Sequence, residues 1–405
     1  MKNSCCMEPK RIEIKTVVFL SNYFNHHQRS VSDALYSLLG DGYRFIETEE
    51  MSQERIRLGY GMTAYPEYVI RYASMREKDC QALIDGADVV IFGSAPEKML
   101  KKRLRDGRLL FRYSERILKS SKKMWKYPFR FLRLQKNNPF FKPVYLLCAS
   151  AYSAADYRKF GCFRNKCYRW GYFPAVKRYD DVREQVMQRK KPNSILWCAR
   201  LIDWKHPELA LEVAKRLRAD GVAFSLDLIG NGALEDYLRA EIRLAGLEDR
   251  VHMLGAMKPE EVRRHMEESE IFLFTSDRNE GWGAVLNESM NSGCAVVASH
   301  EIGAVPFLIR DGENGLIYRD GDADELYRKV KWLLEHDSER ESMGIKAYHT
   351  MAEEWNAENA AKRFLMLADA ILNGEKRPEI VSDGVCAKAE ALRDNWYCSR
   401  NGRRD

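Results

Sequence analysis

Two glutamates in the second half of the chain have a spacing that could bind a hydroxyl-rich ligand. Glu280 and Glu288 are eight positions apart. The bulky apolar run 271–274 before them predicts a buried strand, and the run 284–292 predicts a helix. Glu280 is therefore expected at the carboxyl end of a strand, where open α/β sheets bind their ligands. Glu288 would lie about one turn into the helix, within reach of sugar hydroxyls.

The backbone at the start of this helix could bind an anion. N–H groups near Ala284, Val285 and Leu286 have no partner within the first helical turn. Gly283 before them lets the backbone approach a sugar or a phosphate closely. Carboxylates beside an anion site suit a nucleotide sugar, which carries both hydroxyls and phosphates. The alternative is that both glutamates are only acids favoured by the dipole at a helix N-terminus.

Two cations follow another predicted strand. Arg200 and Lys205 come after the apolar segment 194–199, and Pro207 is suited to the first turn of the helix that comes next. Two cations and a helix N-terminus at the end of one strand can form a diphosphate site. An ordinary pair of surface cations at a helix start is the alternative.

Strands and helices are predicted to alternate around these residues, which implies βαβ units and a parallel, doubly wound α/β sheet. In the second half the predicted strands are 194–199, 225–229, 251–254, 271–274, 295–298 and 315–318. The first half repeats the scheme less regularly, with predicted strands at 16–20, 88–92, 109–112, 145–149 and 168–171.

Several segments resemble the retaining glycosyltransferases of family 4, which have the GT-B fold. Glu280 and Glu288 match the E-x7-E motif of that family, and Arg200 and Lys205 match its paired cations. Further similar segments lie at 199–201, 228–232, 254–255, 293–298 and 312–316. The resemblance covers most of residues 194–375, and the order and spacing of the segments make it specific.

The resemblance implies two Rossmann-like domains that face each other across a cleft. We expect an acceptor-binding domain at 1–190 and a nucleotide-sugar-binding domain at 191–355. A helix at 356–374 would cross back onto the first domain, as in relatives of this fold. Residues 375–405 are polar without a sustained period, so we expect a loosely held tail there.

The same resemblance implies catalytic roles. Arg200 and Lys205 would neutralise the departing diphosphate in place of a metal ion. Glu280 would bind hydroxyls of the donor sugar and stabilise charge near its anomeric carbon, and Glu288 would hold the ribose hydroxyls. We therefore expect no metal and no other cofactor.

Two loops of the second half are expected to border the nucleobase, as in related enzymes. Gly230 and Asn231 follow one predicted strand, and Met257 lies just after the next. Glycine and asparagine also favour positive φ, so turn formation alone is the alternative.

The first domain supplies candidates for the acceptor side of the cleft. The loop after the first strand has His26 and His27 where many family members have glycines, and either histidine could contact a phosphate or the acceptor. A helix-capping role is the alternative. Ser94 and Glu115 follow later strands, and acceptor-side residues of relatives come from those loops.

Other metal ligands are not expected. The pair at 322 and 324 has the Asp-x-Asp spacing of a metal site, but a helix cap and a first-turn acid explain it. Cys162 and Cys167 have no second pair nearby. Cys80, Cys148, Cys198 and Cys294 fall in apolar segments and are expected to be free thiols of a reducing compartment.

The composition indicates a globular protein. Of 405 residues, 45% are hydrophobic and 11% aromatic. No apolar run is long enough to span a membrane, and the N-terminus lacks an apolar signal core, so we expect a cytoplasmic protein.

The net charge of +7 is unevenly distributed. The segment 124–133 alternates cations with aromatic residues, which suits peripheral contact with an anionic lipid surface at the inner face of the plasma membrane. A solvated basic helix is the alternative. Nucleic acid is not an expected partner, because no known binding module accompanies the charge.

Together these features predict a metal-independent, retaining glycosyltransferase with a front-face mechanism. It would move a sugar from a nucleotide-diphosphate donor to a glycan or lipid-linked glycan, as in capsule, O-antigen or exopolysaccharide assembly. One alternative is a GT-B sugar-nucleotide epimerase or hydrolase. Another is a non-catalytic sugar-nucleotide-binding subunit, although such a protein should have lost one of the four charged residues named above.

Overall fold

A computed structural model of the protein describes residues 14–53, 61, 64–71, 77–119 and 127–397. Two parallel sheets form its framework, one of seven strands in the first half and one of six strands in the second. Among the described residues, helices join consecutive strands in both halves except between β2 and β3. The α/β class with two doubly wound sheets is therefore confirmed.

The first sheet has the order β3-β2-β1-β4-β5-β6-β7, which reverses direction between β1 and β4. Its strands are β1 (Val17–Ser21), β2 (Tyr43–Glu47), β3 (Val69–Ile70), β4 (Val89–Phe92), β5 (Leu110–Ser114), β6 (Val144–Cys148) and β7 (Cys167–Arg169). Its helices are α1 (His26–Leu39), α2 (Glu77–Gly86), α3 (Lys101–Asp106), α4 (Tyr127–Asn137) and α5 (Ser153–Arg158). The sequence did not predict β2 or β3.

The second sheet has the order β10-β9-β8-β11-β12-β13, which reverses between β8 and β11. Its strands are β8 (Lys191–Cys198), β9 (Ser225–Ile229), β10 (Val251–Gly255), β11 (Ser269–Phe274), β12 (Ala295–Ser299) and β13 (Leu316–Tyr318). The helices of this half are α6 (Val182–Gln185), α7 (Pro207–Ala219), α8 (Glu235–Leu244), α9 (Pro259–Glu268), α10 (Ala284–Asn291), α11 (Val305–Leu308), α12 (Ala323–Glu335), α13 (Asp337–His349) and α14 (Ala357–Leu372).

A half-buried lysine fixes the far ends of α9 and α10. Lys190 Nζ donates hydrogen bonds to the carbonyl oxygens of Met266 at 3.0 Å, Ser269 at 2.7 Å and Ser292 at 2.8 Å. These carbonyls lie at helix C-terminal ends, where backbone acceptors have no partner within the helix. The start of β8 is thereby attached to the helix that carries Glu288.

The chain enters the second domain earlier than the predicted boundary at residue 190. The side chains of Val182 and Val186 pack against Tyr348 of α13. The backbone N–H of Tyr179 also donates to the Tyr348 hydroxyl at 2.8 Å. Residues from about 179 onward therefore belong to the second domain by their contacts.

The last long helix packs against the first domain. The ring of Phe364 in α14 lies 5.0 Å from Phe111 and 5.8 Å from Trp170, both of the first domain. Aromatic pairs at these separations stabilise the contact between the elements that carry them. The helix therefore belongs to the second half by sequence and to the first domain by packing.

The prediction of a loosely held tail is wrong for residues 375–397. Arg169 in β7 accepts a hydrogen bond from the N–H of Cys386 at 2.9 Å and donates one to the carbonyl of Ala387 at 2.7 Å. The tail thus pairs with the edge strand β7, which would otherwise expose unpaired backbone groups. Trp396 and Tyr397 are also buried. Residues 398–405 lie outside the described part.

The cysteines Cys80, Cys148, Cys198 and Cys294 form no disulfide with another described residue, and all but Cys198 are buried. Within the described ranges, no helix combines the length and apolarity needed to cross a membrane.

Candidate functional site

The candidate site lies where the second sheet reverses direction. The segment with Arg200 and Lys205 follows β8, and the segment with Glu280 follows β11, the neighbour of β8. Because both strands are parallel, their carboxyl ends open the crevice in which doubly wound sheets bind ligands. The structure therefore brings the three predicted catalytic residues to one edge of the sheet.

Lys205 and Glu280 form a direct ion pair, with Lys205 Nζ donating to the carboxylate. Each residue is only 9% exposed, so water screens the pair weakly. The ammonium also lies 4.3 Å from the centre of the Trp204 ring. The Thr275 hydroxyl donates to the Lys205 carbonyl at 2.7 Å, which ties this loop to the end of β11.

Arg200 has a different environment from Lys205. It is exposed and lies 5.7 Å from the Trp204 ring centre. No acidic side chain of the described residues forms an ion pair with it. Its charge is therefore available to an anion that enters the crevice.

The two predicted nucleobase loops meet beside Arg200. The Gly230 N–H donates to the Gly255 carbonyl at 2.8 Å, and the Asn231 carbonyl accepts from Leu201 at 2.8 Å. A Cβ on Gly230 would lie 1.8 Å from the carbonyl oxygen of Ala199, and φ of Gly230 is +139°. Backbone packing thus requires glycine at position 230. The alternative that this loop serves turn formation alone also calls for a glycine here. Met257 is half-buried against the core.

The N-terminus of α10 carries no capping side chain. Its N-cap, Gly283, has a φ of 92°, and no acidic residue occupies the first turn. A Cβ on Gly283 would lie 2.6 Å from the Phe274 ring, so the close turn from β11 into the helix requires glycine. Ala284 and Val285 are half-buried, whereas Leu286 packs fully into the core.

Glu288 lies on α10 near the end of β8. Burial raises the pKa of the Glu288 carboxyl, and the positive charge of Arg263 opposes this only in part. Burial and the nearby Glu288 charge raise the pKa of the Cys198 thiol to about 12. No described group donates a hydrogen bond to the Glu288 carboxylate. A ligand with hydroxyl donors would satisfy this carboxylate.

Two of the four first-domain candidates contact Tyr172, and one of them, Glu115, also reaches the E-x7-E segment. Glu115 accepts a hydrogen bond from the Tyr172 hydroxyl at 2.6 Å, and its carboxylate lies against Gly281. The ring of His27 stacks on Tyr172, with centroids 4.9 Å apart and planes at 14°. Burial, with a smaller contribution from His26, lowers the pKa of His27 to about 3, so its imidazole is neutral at physiological pH.

The other two candidates lie further out. His26 is exposed and its ring lies 4.0 Å from His27. The alternative that a histidine caps α1 is wrong, because Asn25 is the N-cap and accepts from the His27 N–H at 2.9 Å. Ser94 is an exposed residue just after β4, beside the end of β1.

Tyr172 and Asn287 were missed by the sequence reasoning. Asn287 accepts from Trp282 Nε1 at 2.9 Å and donates to the Tyr172 carbonyl at 3.3 Å. Trp282 is fully buried at this junction of the two domains. Tyr172 lies in the segment after the last strand of the first domain, where neither a motif nor a charge pattern marks it.

The Asp-x-Asp pair is structural. Asp322 caps α12 by accepting from the Glu325 N–H at 2.8 Å, and Asp324 pairs with Arg216. Across the part of the chain that the structure describes, no three His, Cys, Asp or Glu side chains gather as a metal site.

Two doubly wound domains that face each other across such a crevice define the GT-B class. HepE of Anabaena, solved in complex with UDP, superposes with a TM-score of 0.66 at 16% identity, over 88% of this chain and 100% of HepE. TarM of S. aureus gives a TM-score of 0.53 at 17% identity, over 69% of this chain and 54–55% of TarM. At these identities the similarity establishes the fold alone.

Residues 179–350 match the family model of glycosyl transferases group 1, in agreement with the resemblance that the sequence predicted. The amylovoran biosynthesis glycosyltransferase AmsK of Erwinia amylovora is 30% identical over 45% of this chain and 46% of its own length. A Campylobacter jejuni N-acetylgalactosaminyltransferase that acts on a diphospho-undecaprenol-linked sugar is 32% identical over 39% of this chain and 41% of its own length. The chain thus matches less than half the length of these relatives.

Proposed function

We propose that this protein is a metal-independent, retaining glycosyltransferase of polysaccharide assembly that uses a nucleotide-diphosphate sugar. The observation that carries the proposal is the arrangement at the β8–β11 reversal. There Arg200 and Lys205 both lie against the Trp204 ring, and Lys205 contacts Glu280, which shortly precedes the uncapped N-terminus of α10. Each of the two cations attracts phosphate oxygens, and a helix N-terminus favours anions in the same way.

The geometry suits stabilisation of a leaving diphosphate. Arg200 would bind phosphate oxygens from the solvent side, and Lys205 would do so from the buried side. Negative charge grows on those oxygens as the bond to the anomeric carbon breaks, so donors held in place lower the barrier. Glu280 would keep Lys205 oriented and bind donor-sugar hydroxyls, while Glu288 would accept hydrogen bonds from the ribose.

The acceptor side fits a front-face reaction. The acceptor hydroxyl would attack from the side on which the diphosphate departs, and a departing phosphate oxygen would take its proton. The neutral His27 and the carboxylate of Glu115, joined through Tyr172, would orient the acceptor rather than serve as an obligatory base. Catalysis would then depend on positioning and electrostatics.

The direct test is transfer by the purified protein in the presence of EDTA. UDP-sugars come first in the donor screen, because HepE was solved with UDP and with UDP and glucose. Undecaprenyl-diphosphate-linked glycans are the first acceptors, because the Campylobacter relative acts on a diphospho-undecaprenol-linked sugar. The expected product keeps the anomeric configuration of the donor, as read by proton NMR.

Other outcomes of this assay would contradict the proposal. Activity that requires added manganese would remove the metal-independent mechanism, and an inverted product would remove retention. Conversion or hydrolysis of the donor without acceptor would instead indicate an epimerase or hydrolase. Binding of the donor without any turnover would indicate a non-catalytic subunit.

We also propose that α4 contacts an anionic membrane surface. On this helix Phe129 is 75% exposed and Leu132 is 66% exposed, and the neighbouring Phe141 is 81% exposed. Arg133 and Lys136 are exposed between them, in a pattern that suits aromatics at the lipid interface and cations near anionic headgroups. The first part of the predicted basic segment, 124–126, lies outside the described residues.

Vesicle flotation tests this contact. Phe129→Ser/Leu132→Ser should abolish binding to vesicles of phosphatidylglycerol and phosphatidylcholine, while transfer to a water-soluble acceptor stays unchanged. Tyr237→Ser/Leu244→Ser is the matched control, because it also removes exposed apolar side chains but from α8. Flotation that survives the α4 substitutions would rule out this surface.

A further inference from the structure

A cavity of about 600 Å³ lies on the first domain where the tail pairs with β7. One wall is formed by the end of α5 and the loop 162–167, and the other by the tail residues 388–391. The N–H of Ala389 donates to the Cys167 carbonyl at 3.0 Å and fixes the two walls together. A cavity of this size can hold a small organic molecule.

Positive charge dominates the lining of this cavity. Arg158, Arg164, Arg377 and Lys388 line it, against the single acid Glu390. Lys388 is paired with Glu379 at 2.7 Å, whereas the three arginines form no ion pair with any other described residue. One guanidinium group can bind two phosphate oxygens at once. No described carboxylate forms an ion pair with these three arginines, so their N–H donors can bind a phosphate.

A nearby lysine reports the same excess of positive charge. Lys166 Nζ donates to the carbonyl oxygens of Phe140 at 2.7 Å and Lys142 at 2.8 Å. Burial, together with repulsion from Arg377, lowers the pKa of Lys166. An anion placed among these cations would relieve their mutual repulsion.

The loop in the wall is held in a costly conformation. Phe163 has a φ of 54° and Asn165 a φ of 58°, both in the left-handed region. A bulky residue such as phenylalanine rarely adopts positive φ, and such strain persists only where the surroundings enforce it. Arg164 lies between these two residues in the sequence, and it lines the cavity.

We propose that this cavity is a second ligand site, separate from the nucleotide-sugar crevice, that binds an organic phosphate. The phosphate would meet Arg158, Arg164 and Arg377. The carbon part of the ligand would cover the apolar lining formed by Cys162, Phe163 and Ala389. The site stands on its own residues and does not depend on the proposed glycosyl transfer.

The ligand could be a phospholipid headgroup or a soluble phosphate ester, and two probes distinguish these sources. Glycerol 1-phosphate represents the soluble ester, and dihexanoyl phosphatidylglycerol below its micelle concentration represents the lipid. Calorimetric titration of the full-length protein should show binding of at least one probe. The probe that binds more tightly identifies the source, and either order supports the site.

Substitutions localise the binding. Arg164→Ser/Arg377→Ser should weaken it about 10-fold or more, because charge-assisted hydrogen bonds are lost. Arg243→Ser/Arg264→Ser removes the same charge from exposed arginines of the second domain and should leave binding unchanged. All four arginines are exposed, so unaltered thermal unfolding checks that the variants fold.

Two results would overturn the proposal. One is that neither probe binds the wild-type protein at concentrations on the order of 10 mM, which corresponds to negligible affinity. The other is equal binding by the wild-type protein and the Arg164→Ser/Arg377→Ser variant. Turnover by that variant is expected to match the wild type, so failure of this site and failure of the transferase proposal give different data.

Discussion

Glu115 of the first domain lies directly against Gly281 of the second. A Cβ built on Gly281 would be 1.8 Å from Glu115 Oε2. Real atoms cannot approach so closely, so the glycine in the E-x7-E segment provides the space for a carboxylate of the opposite domain. The absence of a side chain at Gly281 thus makes room for the Glu115 carboxylate where the two domains face each other.

The first prediction concerns this contact. Gly281→Ala should destabilise the protein by about 1–3 kcal/mol, as overpacking does, and lower kcat/KM. In a Glu115→Ala background the same substitution should cost much less, because the clashing carboxylate is absent. Urea unfolding of the four proteins in this cycle measures the coupling. Equal costs in both backgrounds would show that the residues do not touch.

The second prediction concerns the buried pair. Lys205→Met or Glu280→Gln alone leaves a buried charge without its partner, which costs on the order of 3 kcal/mol. The double variant should recover part of that stability, yet all three variants should lose transfer activity. The pair of the exposed Lys191 and the half-buried Glu268 is the control, since its removal should cost less than about 1 kcal/mol. Additive losses at 205 and 280 would contradict the ion pair.

The third prediction is that Arg200 contributes to activity with the donor but not to the stability of the fold. Because Arg200 is exposed and forms no ion pair with a described residue, Arg200→Ala should change the free energy of unfolding by less than about 0.5 kcal/mol. It should lower kcat/KM for the donor roughly 10- to 100-fold through the lost charged hydrogen bond. Arg243→Ala is the control for charge. An unchanged kcat/KM for the donor would remove Arg200 from the diphosphate site.

The fourth prediction concerns pH. The pKa of His27 falls from 6.5 to about 3 on folding. Between these values the unfolded chain binds more protons, so stability declines as pH falls below about 6.5. His27→Asn should remove about 1.6 kcal/mol of the loss between about pH 6.5 and 5. If the free energies of unfolding of the two proteins change with pH in parallel across this range, folding does not lower the pKa of His27.

The fifth prediction concerns the tail. Deletion of residues 383–405 should lower Tm by more than about 5 °C, because it uncovers buried side chains and the edge of β7. Aggregation should increase at the same time. Deletion of 398–405 alone retains every described contact and should leave Tm unchanged. If both deletions behave alike, the pairing with β7 contributes nothing to stability.

The strand–helix alternation of the second half was predictable because its strands are apolar and its helices amphipathic. β8 and β11 flank the reversal point, so rules of sheet topology alone place Lys205, which follows β8, and Glu280, which follows β11, at the same edge. β2 and β3 escaped prediction because β2 carries Arg44 and Glu47 among its apolar residues and β3 has only two residues. Their pairing depends on neighbouring strands rather than on local pattern.

The contacts across the crevice were not predictable for a different reason. Tyr172 joins His27 to Glu115 only because the two domains are oriented as they are. The pairing of Cys386 and Ala387 with β7 likewise joins segments that are far apart in sequence. Neither contact produces a residue spacing that can be recognised in a single sequence.

The position of α14 has a consequence for biosynthesis. The ring of Phe364 covers Phe111 and Trp170, which leave the ribosome long before it does. This apolar surface of the first domain therefore stays uncovered until the whole second domain has been translated. Nascent chains that stall in between expose an aromatic patch, and chaperones that recognise such patches would engage the protein at that stage.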